Sequence, residues 1–264
     1  EELSQAQAKL VQRCKETGTE YEKRETFEGK EFLAVGIPNG REKRWLPLFR
    51  LESYKRLLNT AFERYIFLGD YIAIASYENS SIEAMVRSVA PMGTSMVMRR
   101  LFGAQSVDFD NDENDKAFIE LKPEDDDAEV SLGLGPASEA MLNLSREPFS
   151  RPGRLCLHIN GILIDRHDKA LAILEKLSNS LFFQIDMAFG VPLTLFKERR
   201  STRGVRRARR EENLNALQYP GTEYDDAPMS LYWYARSAIG MPLLQFLAFY
   251  QVIEFYFFSY SQEE

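Results

Sequence analysis

The chain has 264 residues, 44% hydrophobic and 12% aromatic, with 28% charged and a net charge of −7. Those values exclude a disordered chain and a small disulfide-stapled domain, and they allow a large core in one domain or two. Two cysteines, Cys14 and Cys156, form at most one bridge, which fits a reduced, cytoplasmic protein.

Leu3, Leu10, Val11 and Cys14 share one helical face, and Gly18 stops that helix. Phe27 to Ile37 reads as extended, Asn39-Gly40 as a hairpin loop, and Arg41 to Arg50 as the returning strand. Leu51, Tyr54, Leu57, Leu58, Ala61, Phe62 and Tyr65 recur at helical spacing and predict an amphipathic helix over 51–65. Tyr71 to Tyr77 reads as a buried strand. Ser80-Ser-Ile-Glu83 has the form of a capping box, so a helix is expected there, making a βα unit that Pro91 ends. Met92 to Ala104 is Met-rich packing material.

Eleven acids fall between Asp108 and Glu129, around the strand-like Ala117–Lys122. Val130 to Pro136 then reads as a strand and 137–144 as a helix. Gly133-Leu-Gly135-Pro-Ala-Ser138 between them approximates a dinucleotide turn. It lacks the βαβ frame and the acidic second strand, and so reads as a plain strand-to-helix turn. Pro148 to Gly153 looks like a linker, and Leu155 to Ile164 like a strand pair or a bulged strand. Asp165 is placed to cap a helix striped by Ala170, Leu174, Leu177, Leu181 and Ile185, with Gly190 and Pro192 as its stop.

Ser230 to Tyr260 is the most aromatic stretch. From Met241 to Phe258 only Gln245, Gln251 and Glu254 are polar, and they define no solvated face. Pro242 suits a first helical turn. The short length and Glu254 argue against a membrane span, which leaves a core helix ahead of an oligomer seam. A buried Glu254 would need an arginine partner. The fold class expected is α+β. A mixed sheet-containing lobe covers 1–147. A helix-rich part over 154–264 holds a strand–helix unit, a basic segment and a buried aromatic helix.

Lys197 to Arg210 carries eight cations against Glu198, a local +7 that leaves −14 for the rest. On a helix Arg199, Arg203, Arg206 and Arg210 form one stripe, widened by Arg200 and Arg207. Guanidinium groups so crowded repel one another unless phosphates or carboxylates lie nearby. The run therefore points to nucleic acid or an acidic protein partner, or else to a solvated loop answering the chain's own acids.

A metal reading rests on Asp108, Glu120 and Lys122. Ala117-Phe-Ile-Glu-Leu-Lys122 resembles the half-motif of PD-(D/E)xK nucleases, in which paired carboxylates hold a hard cation and lysine steadies charge. The alternative is an edge strand between acidic loops. Asp108-x-Asp110-x-Asp112 fails as an EF-hand loop, because Glu113 and Ile119 stand where Gly and a bidentate Glu are needed. His167 sits between Asp165 and Asp168, as a general base would, but capping explains those acids equally well. No zinc-ligand spacing and no phosphate-binding loop occurs, so no cofactor is implied.

Leu247-Ala-Phe-Tyr-Gln-Val-Ile-Glu-Phe-Tyr-Phe257 resembles C-terminal helical segments of uncharacterised bacterial anti-phage-defence proteins with HEPN-like domains. The resemblance implies a bacterial defence setting and, in the ribonuclease members, an Arg-x4-6-His pair. Here only three residues separate Arg154 from His158, so the pair is degenerate or lies beyond Glu264. Three readings stand. The first is a non-catalytic, cytoplasmic scaffold or accessory subunit that contacts nucleic acid or another polyanion, joins other subunits, and oligomerises through its C-terminal helix. The second is a nuclease, and the third is a structural protein with solvated charge.

Overall fold

The computed structural model describes residues 2–26, 29–90, 92–103, 119–123, 130–146, 153–198, 225–238 and 241–261. The chain divides into two compact units, Glu1–Arg200 and Ser201–Glu264. The class is α+β, with sheets first and helices after. The division falls after Arg200, not at 147–154, because the strand at Leu155–Asn160 lies inside the main sheet.

The first unit opens with α1 (Glu2–Thr17), β1 (Glu20–Glu25), β2 (Glu31–Asn39), β3 (Glu42–Leu48) and α2 (Leu51–Leu58). The three strands form an antiparallel meander, β1-β2-β3. Asn39 pairs with Glu42, so the hairpin loop is Gly40-Arg41, one residue later than expected. Gly40 has φ +67°, a conformation that favours glycine, and a Cβ there would press on the His167 ring at 3.1 Å. The helix expected over 51–65 stops at Leu58 and resumes only as the 3-10 turn Phe62–Arg64. The break still buries Phe62 completely.

Tyr54 ties this block together. Its hydroxyl donates to Leu48 O at 3.0 Å and accepts from Leu33 N at 3.1 Å and Gln7 Nε2 at 3.0 Å. One phenol thus joins α1, β2, the end of β3 and α2, and all its polar capacity is used.

The larger sheet contains β4 (Ile66–Phe67), β5 (Ala73–Ser76), β6 (Ser81–Ser88), β7 (Ile119–Leu121), β8 (Ser131–Pro136) and β9 (Leu155–Asn160). Their order is β4-β5-β6-β9-β8-β7, every neighbouring pair antiparallel, and β10 (Leu193–Leu195) pairs with β6. The helices accompanying it are α3 (Thr94–Phe102), α4 (Glu139–Leu144) and α5 (His167–Phe189).

The helix expected at Ser80–Glu83 is instead strand β6, reached from β5 by a tight turn in which Ser80 takes φ 47°. The βα unit is therefore a β-hairpin. Strand geometry sends alternate side chains to opposite faces. Ile82, Ala84, Val86, Leu155, Leu157 and Ile159 join one core, with Leu174, Leu181 and Ile185 of α5. Met85, Cys156 and Ile74 join the other, with Leu10 of α1, Leu57 of α2 and Met141 of α4. Both faces of β6 are thus covered.

Of the α5 stripe Ala170, Leu174, Leu181 and Ile185 are buried and Leu177 is half-buried, and Gly190 ends the helix in the left-handed conformation at φ 62°. The N-cap is Arg166, not Asp165, and it makes no side-chain cap bond. Asp165 instead pairs with Lys169 at 3.3 Å.

The second unit holds α6 (Asp226–Ser237) and α7 (Pro242–Ser261). Pro242 stands at the first position of α7, where its missing N–H costs nothing. The two helices pack together. The Tyr232 and Phe249 rings lie 5.9 Å apart, and Gln245 Nε2 donates to Ala235 O at 3.1 Å. The burial expected of the aromatic helix is met on one side only. Ala248 is buried, whereas Leu243, Phe246, Ile253 and Phe257 are 64–72% exposed. Glu254 is exposed as well, so it needs no buried arginine. Among the described residues, no helix is long and apolar enough to cross a membrane.

Candidate functional site

The arginine stripe, Arg199, Arg200, Arg203, Arg206, Arg207 and Arg210, lies outside the described residues, but its approach is described. The backbone past β10 bridges Lys197 to Tyr71, and Glu198 N donates to Asp70 O at 2.7 Å. The Glu198 carboxylate sits 3.4 Å from Arg44 Nη1 and 3.4 Å from Arg146 Nη1. Arg44 also donates to Tyr71 O at 2.8 Å and to Gly69 O, and stacks on the Phe67 ring at 4.6 Å. The single acid of the run is thus engaged by two arginines from elsewhere. Its negative charge does little to relieve the cations that follow it.

Of the metal trio, Asp108 lies outside the described residues. Glu120 is on the short outermost strand β7, and Lys122 lies just past it, both exposed. Among the described residues, no group of three or more His, Cys, Asp or Glu side chains gathers as metal ligands would. His158 Nε2 is 3.0 Å from Pro136 O, and His167 Nε2 is 3.2 Å from Asn39 Oδ1. Both rings hold backbone or hairpin contacts in place.

A polar cluster that the sequence did not reveal lies inside the sheet. Glu83 on β6 accepts from Ser138 N at 2.7 Å and from Ser138 Oγ, and that Oγ accepts from Met141 N at 3.1 Å. Glu83 therefore does serve a helix start, but that of α4 more than fifty residues on. Cys156 is bonded to the same carboxylate. Burial, then the Glu83 charge and that bond, push its thiol well above the ordinary range. Burial likewise raises the Cys14 thiol, to about 11. Glu83 with Ser138 thus fastens the start of α4 to β6 inside the sheet.

An open concavity of about 450 Å³ lies between α5 and β10. Glu175, Asn179, Phe183 and Asp186 recur at i, i+4, i+8 and i+11, so one helix face lines it. Tyr71 Oη donates to Glu175 Oε1 at 3.0 Å, and Lys197 Nζ lies 5.1 Å from the Tyr71 ring centre. Burial first, then Glu175, push the Tyr71 phenol up to about 12, so it remains a donor across the neutral range. These positions lie off the apolar stripe of α5. Only the return of β10 turns that face into a wall.

No protein-family model matches the chain, and neither does any curated protein or solved structure.

Proposed function

We propose that the protein is a non-catalytic accessory or scaffold subunit of a bacterial assembly of the anti-phage-defence type. It acts in the cytoplasm and contacts nucleic acid or another polyanion through Lys197–Arg210. The observation that carries this reading is the exposed face of α7. Leu243, Phe246, Leu247, Tyr250, Ile253 and Phe257 are all at least 48% exposed, and Glu254 is the one charged residue of the helix. Contiguous apolar surface on this scale marks a contact surface for another protein. The anion-binding half of the reading rests on charge. Glu198 is already shared between Arg44 and Arg146, which leaves the seven arginines after it without a balancing acid inside the run.

Purified protein is expected to bring nucleic acid with it and to release it as salt rises. Charge reversal by Arg203→Glu with Arg206→Glu is expected to lower nucleic-acid affinity by tenfold or more, on the order of 1.4 kcal/mol. Unchanged binding in that double variant removes the run as the contact.

A further inference from the structure

The cleft between α5 and β10 has a feature independent of its charges, an open strand edge. Phe196 N donates to Met85 O at 2.8 Å, and Val89 N donates to Pro192 O at 2.9 Å. In the antiparallel register Leu193 faces Ser88, Thr194 faces Arg87 and Leu195 faces Val86. Residues 192, 194 and 196 therefore spend their backbone groups on the β6 side, and those of Leu193 and Leu195 point the other way. No backbone hydrogen bond joins these outward groups to another described residue.

The cleft runs beside this edge, with one end marked by Glu175, Tyr71 and Lys197 and the other by Asp186 and Pro192. Eleven helical residues separate Glu175 from Asp186, roughly 16 Å at 1.5 Å per residue. On a strand rising about 3.3 Å per residue, side chains at i and i+4 share a face about 13 Å apart, and the length of Arg or Lys side chains makes up the remaining few ångströms to both carboxylates. Phe183, 67% exposed, stands between them as an apolar and cation-receptive surface. Lys197 is the one cation of the wall, and its ammonium is drawn to the Tyr71 ring.

We propose that this cleft binds an extended basic segment of a partner protein, added as a strand on the outer edge of β10. Its backbone pairs with Leu193 and Leu195, and two Arg or Lys side chains four residues apart meet Glu175 and Asp186. Backbone pairing supplies affinity and the two carboxylates supply selectivity, the division of labour general to strand addition.

The test uses the full chain and a fluorescent peptide, acetyl-Ser-Arg-Val-Thr-Val-Arg-Ser-amide, followed by anisotropy. Saturable binding is expected, about tenfold weaker with Glu175→Gln plus Asp186→Asn and weaker still with glutamates replacing both arginines. Two N-methylated peptides, each blocking one alternate set of amides, separate strand pairing from simple charge attraction on the unaltered protein. One must lose binding and the other keep it. Equal binding of both, or of the glutamate peptide, overturns the proposal. So does binding that appears only after Arg203→Ser with Arg206→Ser, since the chain's own basic run would then be the occupant.

Discussion

The two units differ in how far they bury apolar side chains, although Leu163, Phe183 and Met187 of the first are also exposed. In Glu1–Arg200 a carboxylate, Glu83, is 9% exposed and surrounded by donors, while Leu157, Leu134 and Phe62 are fully buried. In Ser201–Glu264 four large side chains of a single helix are 64–72% exposed. The first unit closes its interior within the chain and satisfies what it buries. The second leaves apolar area on α7 that its packing against α6 does not use. An exposed leucine alone means little, but a run of them on one helix with a single charge is a surface made for contact.

This contrast can be broken by substitution. The largest effect is expected from Leu157→Ala, which leaves a cavity under α5 and lowers stability by about 3 kcal/mol in urea unfolding. Next comes Glu83→Ala, which strands Ser138 N and Oγ and costs about 2 kcal/mol, with Glu83→Gln milder because one acceptor remains. Gly190→Ala should cost about 1 kcal/mol, because an L residue is strained at φ 62°.

Thiol burial gives a pH signature for the first unit. The Cys14 value lies near 9.0 unfolded and about 11 folded, so its contribution is complete below the unfolded value. It is lost as pH rises through the folded one. Stability should therefore fall across that alkaline window, less so in Cys14→Ala once its own cavity cost is subtracted. The smallest stability change, within about 0.5 kcal/mol, is expected of Leu243→Ser on α7. A loss of several kcal/mol there would mean that α7 is core after all.

Where the pattern had a single cause, the sequence was legible. The α5 stripe, the Gly190 stop, the β2–β3 hairpin and the Pro242 start all follow from periodicity or from one residue's backbone limits. Ser80–Glu83 misled because a capping box is a local signal and β6 is decided by its neighbours. With both faces covered, Ile82 to Val86 shows no clean alternation to betray a strand. The candidate cleft was illegible for a related reason. Tyr71, Glu175 and Lys197 are brought together by the return of β10, and no spacing in the chain records that return. The α7 surface was hidden differently. A helix apolar all round has no moment, so nothing marks which side faces water.

The pairing of β10 with β6 spans about a hundred residues, whereas the β1-β2-β3 meander finds every partner within a few tens. Loop closure over the longer distance gains its contacts late. As the chain emerges during synthesis, the meander can pair once Leu48 is out, and the large sheet cannot be completed before Leu195. Until then the backbone groups of Arg87 and Val89 lack the strand that pairs with them at that end of β6, and a nascent chain halted between these points would carry that exposed edge.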